Sequence, residues 1–443
     1  MNQWKWFYPG LKFKRWVALV VVGVLILSLG VVFELGKNIP RDFYSFVTNY
    51  VRQGVVGISL IVIGIYMIIY GMKKLNKRII GLFMPEADNK LVDLLFEDML
   101  LSKGLKIVVI GGGTGLHSLL RGLKEFTSNI TAIVTVSDDG GSSGRLREEL
   151  HILPPGDIRQ CIAALAASET AVLELFSSRF KGEGPLNGHS VGNLLLAAMT
   201  ELKGGDFYKA IQELSKVLAV RGNVLPSTVE NVTLCAEMSN GLIIRGETAI
   251  THDPASVSRV FLSPSNVRAL PEAIEAIRDA DLIVIGPGSL YTSIVPNLLV
   301  HDILAALRKA EAPKVYVCNI MSQPGETDGY TASDHALRII KLLGRDMIDY
   351  IVLNNKYPSR LLGKYEAQGQ KPVKVDRDKL DKLGIKRIVM EDLVSEQELV
   401  RHDPNKLAWC ILKIAKEAVP TSGPASRTFE LEKLRERLTK LGI

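Results

Sequence analysis

The sequence predicts an α/β fold, a mostly parallel sheet with helices on both faces, preceded by two N-terminal transmembrane helices. Three observations carry this. Two charge-free apolar runs open the chain. From residue 105 onward, short Val- and Ile-rich runs alternate with helical patterns. Several of those runs end in a glycine-rich turn that opens a helix.

The apolar runs are residues 16–33 (WVALVVVGVLILSLGVVF) and 55–72 (VVGISLIVIGIYMIIYGM), each 18 residues long. That is close to the ~20 residues that cross a bilayer as a helix. They account for a hydrophobic content of 47% and a positive mean hydropathy, both high for a soluble chain. A secretory signal is a poorer reading, because no small-residue cleavage site follows the first run and a second span comes instead. Lys5, Lys12, Lys14 and Arg15 precede the first run, and Lys73, Lys74, Lys77 and Arg78 follow the second. The positive-inside rule then places both termini and the main domain in the cytoplasm, with a short external hairpin. Trp4, Trp6, Tyr8, Tyr66 and Tyr70 suit interfacial belts.

The formal charge of +7 belongs to this anchor. Residues 1–80 hold 11 Lys/Arg against 2 Asp/Glu, which leaves the rest of the chain at −2. The basic balance suits an anionic lipid surface, and the globular part gives no electrostatic case for nucleic acid. Four widely spaced cysteines form no CxxC pair, as expected of reduced thiols in a cytoplasmic compartment. Seven histidines show no HxxxH or HxH spacing, which argues against a histidine-built metal site.

The expected organisation is an anchor at 1–80, a linker with a short amphipathic helix at 81–104, a main domain at 105–419, and a linker with a charged helical tail at 420–443. Strands are expected at 106–110, 131–136, 281–285, 314–318 and 350–353, continuous apolar runs that suit strands buried on both faces. Helices are expected at 115–126, 157–167, 191–202, 207–219, 271–278, 296–310 and 331–343. Residues 222–262 read as short strands in an inserted subdomain.

Five motifs bear on chemistry. Gly111, Gly112, Gly113, Thr114 and Gly115 follow the first strand in a Rossmann-like context, where a helix start presents free N–H groups to an anion. The spacing departs from GxGxxG, and a tight turn without a ligand is the plain alternative. Next come Ser137, Asp138 and Asp139, then Gly140, Gly141, Ser142, Ser143, Gly144 and Arg145. Asp138 stands where an acid holds a dinucleotide ribose. The run after it reads as a second anion cradle or as a flexible loop, and the aspartate pair suits a divalent cation such as Mg2+ bridging phosphates. In Pro155-Gly156-Asp157-Ile158-Arg159, Asp157 reads first as a helix N-cap. His189 and Asn193 sit four apart at a helix start and share a face. Gly286, Pro287, Gly288 and Ser289 form another glycine turn at a strand end, and residues 319–328 (NIMSQPGETD) are placed to close the same crevice. No GxxxxGK[ST] loop occurs, whereas the bare GxSxG spacing does, at 140–144 (GGSSG) and 188–192 (GHSVG).

Taken in order, IGGGTG, SDDGGSSGRLR, PPGDIR, GHSVGN and GPGSLYTS resemble the YvcK-type gluconeogenesis factors of bacteria, relatives of the CofD 2-phospho-L-lactate transferases. The resemblance covers roughly residues 105–420. It implies a UDP-sugar ligand, UDP-N-acetylglucosamine, and a regulatory role in cell shape and cell-wall synthesis during growth on gluconeogenic carbon sources. It implies that Gly111 to Gly115 and Gly286 to Ser289 line the nucleotide phosphate site. It also matches Asp138 and Asp139 to the acids of the CofD branch, where magnesium assists transfer. Ser137 stands where family members commonly have alanine, and the two N-terminal spans depart from the many soluble relatives. The residues nominate no deazaflavin pocket. The leading expectation is therefore a membrane-anchored sensor that binds a nucleotide sugar without consuming it. Its expected partners are cell-envelope regulatory proteins and further copies of itself. A CofD-like transferase using Mg2+ is the second reading, and an NAD(P)-dependent oxidoreductase the third, disfavoured by the broken fingerprint.

Overall fold

The computed structural model describes residues 14–35, 53–83, 99–167, 169–396 and 399–419. The expected tail at 420–443, the external hairpin, and most of the 81–104 linker lie outside them.

The chain divides into two compact units, Met1–Glu97 and Asp98–Ile443. In the first, α1 (Lys14–Leu35) and α2 (Gln53–Phe83) pack side by side. Windows at Arg15–Val32 and Val56–Leu75 are long and apolar enough to cross a membrane. The helices meet along glycines spaced by seven: Gly23 and Gly30 on α1, and Gly57, Gly64 and Gly71 on α2. A Cβ on Gly64 would come within 2.7 Å of the Leu27 nitrogen, so the two backbones are nearly in contact. Close approach through small residues is what holds helices together where no hydrophobic force separates them from lipid.

The second unit is built on a seven-stranded sheet. Its strands are β1 (Ile107–Gly111), β2 (Ile130–Val134), β3 (Asn223–Pro226), β7 (Leu282–Ile285), β8 (Lys314–Val317), β9 (Tyr350–Asn354) and β10 (Arg387–Glu391). Their order is β10-β9-β8-β7-β1-β2-β3, and every pairing is parallel. The inner strands are buried along their whole length, as their uninterrupted Val/Ile runs require. β4 (Thr233–Met238), β5 (Ile243–Arg245) and β6 (Val257–Ser263) form a separate antiparallel sheet.

The helices that matter for the site are α3 (Gly113–Leu123), α4 (Gly141–Leu150), α5 (Gly156–Leu165), α6 (Val191–Leu202) and α7 (Glu247–His252). The C-terminal α8 (Pro404–Ala418) packs on α3. Gly122 permits that crossing, since a Cβ there would sit 2.8 Å from the Ala408 Cβ.

Four expectations need correction. The region 222–262 is not all insertion: β3 joins the main sheet as an edge strand ending in Pro226, and only β4 to β6 stand apart. β10 was not expected, because an edge strand with no fully buried residue (RIVME) lacks the apolar run that marks its neighbours. The GGSSG stretch is not a loop: all but its first glycine is the first turn of α4. The helix expected at 296–310 is not continuous: after a wide turn at Leu290–Ile294 come a short turn at Val295–Leu298 and a helix at His301–Lys309. Pro296 has no N–H to continue a regular ladder. The Ser289 carbonyl instead accepts from both Ser293 N (3.0 Å) and Ile294 N (2.9 Å).

Candidate functional site

After β3 the chain leaves the sheet and returns at β7, beside β1, so strand order reverses between these two. Ligands of open α/β sheets gather at the carboxyl ends of such a pair. Both glycine turns lie there and touch each other. Gly286 N donates to Ile110 O (2.8 Å). A Cβ on Gly115 would come within 2.9 Å of Pro287 O and 3.0 Å of the Gly288 Cα. Gly115 is therefore glycine first of all because another loop lies against it. Asn297, fully buried, ties the turns together by donating to Gly111 O (3.0 Å) and Ser293 O (2.8 Å).

Beside them opens a crevice of about 310 Å3, lined among others by Thr114, Ser289, Gln323, Tyr365, Arg401 and His402. The 319–328 segment closes it as expected, through Asn319 to Gln323. Tyr365, Arg401 and His402 were not expected. They come from the last short strands, β11 (Val394–Glu396) and β12 (Val400–His402), and the segment before them. His402 is buried, shares a hydrogen bond with the Cys318 backbone, and leaves Nε2 without a partner. Burial pushes its pKa down to about 4, so it enters the crevice as a neutral imidazole. Arg401 is exposed and supplies a guanidinium.

On the other side of the α3 start lies a group of carboxyls. Asp157 is not the N-cap of α5, a position held by Pro155. Its carboxyl instead accepts from the Gly113 N–H at the start of α3. Desolvation above all, then the charge of Asp138, pushes Asp157 up to about 7. Asp138 is raised by burial; it accepts from Gly140 N (2.9 Å) and is bonded to Ser143. Asp139 turns the other way and accepts from both the backbone and the hydroxyl of Thr248 (2.8 Å each) at the start of α7. Glu247, next to Thr248, is raised well above its usual range by burial and by Asp138. The two acids of the expected Mg2+ pair thus have different protein partners, and among the described residues no three acids, histidines or cysteines group to hold a metal ion.

Glu247 has a legible signal that it shares with Glu326 of the 319–328 segment. Each follows a glycine and precedes a threonine: Gly246-Glu247-Thr248 and Gly325-Glu326-Thr327. Both glycines have positive φ (96° and 79°), where a side chain would be strained. A Cβ on Gly246 would also strike Asp139 Oδ2 (2.2 Å).

The remaining expected residues converge on Ser142. Its buried Oγ meets His189 Nδ1 (3.0 Å) and accepts from Asn193 Nδ2 (3.1 Å). Asn193 Nδ2 also reaches Ser143 Oγ (3.5 Å), and its Oδ1 is buried without a partner. His189 is held below its usual pKa by desolvation and by Arg145. Arg145 donates to Asn187 O (2.8 Å), beside the loop before α6. Gly141 (φ 48°) faces open space. Gly112 leaves room for the Asp157 carboxyl, which a Cβ would meet at 2.4 Å.

A doubly wound parallel sheet with paired glycine turns at its reversal point defines an α/β protein of the open-sheet class, with its crevice at the switch point. The family model for 2-phospho-L-lactate transferase CofD matches residues 107–394, and the chain belongs to the CofD family, among its gluconeogenesis factors. It is 50% identical to the gluconeogenesis factor of Bacillus subtilis over 313 residues, 70% of this chain and 98% of that one. A Nostoc sp. relative bearing the same factor name is 46% identical over 426 residues, 93% of each chain. An alignment of that length must include most of residues 1–80, so the Nostoc relative has a counterpart of this N-terminal unit. A crystal structure of a UPF0052-family protein from Bacillus halodurans superimposes with a TM-score of 0.67 at 50% identity, covering 70% of this chain and 99% of that one.

Proposed function

We propose that this protein is a regulatory nucleotide-sugar-binding protein, with UDP-N-acetylglucosamine or a close analogue as ligand, anchored to the cell membrane by α1 and α2. The observation that carries the reading is the crevice at the β1/β7 reversal. Glycine turns and a helix start suited to a diphosphate lie beside Thr114, Ser289, Gln323 and Arg401, groups suited to a sugar and a uracil. The name of the gluconeogenesis-factor relatives supports a role in gluconeogenic growth, which we extend to cell shape and wall synthesis. In this reading the domain lies on the cytoplasmic side, and the anchor keeps the sensor near envelope-building partners. A second copy of the chain is a further expected partner. Magnesium fits as a companion of the diphosphate, which brings its own oxygens and so needs only one or two carboxylates from Asp138 and Asp139.

The CofD match favours a second reading, transfer of a phosphorus-linked group from a nucleotide diphosphate. Titration calorimetry of the chain with UDP-N-acetylglucosamine, with and without Mg2+, followed by chromatography of the ligand, separates the two. Saturable binding with the ligand recovered intact is expected. Release of UMP or UDP would establish the transferase, and failure to bind would remove the nucleotide-sugar reading.

A further inference from the structure

We propose that Glu326, acting through Gln323, fixes the Ser289 hydroxyl so that it offers the crevice an oxygen lone pair rather than a proton, and that Ser289 thereby reads a hydroxyl or N–H of the ligand's sugar. This rests on the nucleotide-sugar reading and adds to it a positioning residue outside the crevice wall.

The argument is one of donors and acceptors. Glu326 is buried, and three donors converge on it: Gln323 Nε2 (2.6 Å), Thr292 Oγ1 (3.1 Å) and Tyr291 N (3.3 Å). The first two fall on the same oxygen, Oε1, and Tyr291 N on Oε2. A carboxylate only accepts, and a proton placed on Oε2 still leaves Oε1 an acceptor. The Gln323 amide accordingly turns its NH2 toward Glu326, as its 2.6 Å contact through Nε2 has it. That leaves its carbonyl oxygen toward Ser289, whose hydroxyl donates to it at 2.5 Å. With its single proton committed, Ser289 Oγ has only lone pairs left for the crevice, which both Ser289 and Gln323 line.

Neither end of this chain is free to reorganise. Gln323 N donates to Thr327 Oγ1 (2.9 Å), and Gln323 O accepts from Glu326 N (3.1 Å) and Thr327 N (2.9 Å). The Ser289 carbonyl holds the wide turn that follows, through Ser293 N and Ile294 N. A phosphate oxygen facing Ser289 would meet an acceptor, whereas a sugar hydroxyl or acetamido N–H would meet its complement. The diphosphate then falls to the glycine turns and the start of α3.

The test compares UDP-N-acetylglucosamine with UDP by calorimetry on the full-length chain in detergent. In the unsubstituted protein the sugar nucleotide binds more tightly than UDP. Ser289→Ala is expected to weaken UDP-N-acetylglucosamine about five- to tenfold, the scale of one hydrogen bond, and to leave UDP within about twofold. Glu326→Gln is expected to give the same selective loss. Its amide can present NH2 to Gln323, which then turns over and reverses the Ser289 hydroxyl. The double variant should lose no more than either single one. A merely structural role for Glu326 would lower both affinities alike, and that outcome overturns the inference. So does a Ser289→Ala protein with undiminished preference for the sugar nucleotide, a test that stands whether or not Glu326→Gln folds. Absence of binding by both nucleotides to the unsubstituted chain removes the proposed function and this inference together, whereas equal losses remove the inference alone.

Discussion

The carboxyl of Asp157 accepts a hydrogen bond from the backbone N–H of Gly113, so the first donor of α3 is met by an acid from the neighbouring helix. Helix N-termini attract anions, and here a side chain already occupies part of that field. An incoming phosphate must share it with Asp157, with Asp138 close enough to raise Asp157 further. In the proposed nucleotide-sugar reading, the proton on Asp157 thus decides how much negative charge the ligand meets.

A pH dependence follows. Asp157 is raised from 3.8 to about 7 in the folded protein. Between those values the native state keeps a proton that the unfolded chain releases, so stability falls as pH rises from about 4 to about 7 and is flat outside that window. Asp157→Asn keeps an acceptor for Gly113 and removes the titration. It should stabilise the protein at pH 8 by about 1–2 kcal/mol after discounting for solvent at this half-buried site, and leave pH 4 unchanged. Affinity for a nucleotide diphosphate should fall between pH 6 and 8 in the parent and stay level in the variant. Denaturant midpoints and calorimetry at the two pH values check both; parallel slopes in parent and variant would rule this out.

Ser142 separates a scaffold role from a ligand role. The residue is 5% exposed, and its hydroxyl joins His189, Asn193 and the Ser190 N–H. Ser142→Ala leaves buried polar groups with a partner missing, which costs about 1–3 kcal/mol. The expected result is a lower melting temperature with nucleotide affinity within about twofold of the parent. A large loss of affinity at unchanged stability would place Ser142 on the ligand instead.

Much of this arrangement was legible, and the boundary is physical. β1, β2, β7, β8 and β9 declared themselves because strands buried on both faces need unbroken apolar runs. The two glycine turns were legible because each follows such a strand. Asp157 was misread because local spacing put it at the start of its own helix, while its partner Gly113 lies 44 positions earlier. Tyr365, Arg401 and His402 were missed because contacts between segments far apart in sequence carry them to the crevice: β12 packs on α3, His402 bonds the Cys318 backbone, and Tyr365 Oη accepts from Val400 N. The GGSSG run looked like a loop because glycine and serine are weak helix formers. Its helical turn is held from outside by His189 and Asn193 on Ser142, and Gly144 is needed within it because a Cβ there would strike Asp139 O at 2.0 Å.

Gly115 tests whether the two turns must touch. Alanine there would push a methyl against Pro287 O and the Gly288 backbone, which cannot yield without moving the β7 turn. Overpacking of this kind costs about 1–3 kcal/mol, and here it also wedges open the crevice. Gly115→Ala should therefore weaken UDP-N-acetylglucosamine by at least tenfold. Serine at the exposed neighbour Thr114 keeps the hydroxyl and should bind like the parent. Equal binding by Gly115→Ala and the parent would show that the turns tolerate separation.

The helix pair offers a test independent of any ligand. Gly23 and Gly30 face Gly64 and Gly57 so closely that side chains at these positions would meet backbone atoms of the opposite helix. In a bilayer the pair gains nothing from burying apolar surface away from lipid, so its stability rests on this backbone approach. Gly64→Leu fills the seam and should force α1 and α2 apart. A Val20→Cys/Gly71→Cys pair reports it, since a Cβ on Gly71 lies 2.7 Å from Val20 Cγ2. The four native cysteines are buried and leave the crosslink readout clean. Oxidative crosslinking in membranes should proceed in the parent background and drop severalfold with Gly64→Leu, while Leu25→Ala, on an exposed face of α1, should leave it unchanged. Undiminished crosslinking with leucine at 64 would mean that the connecting segment and lipid, not the glycine seam, hold the pair together.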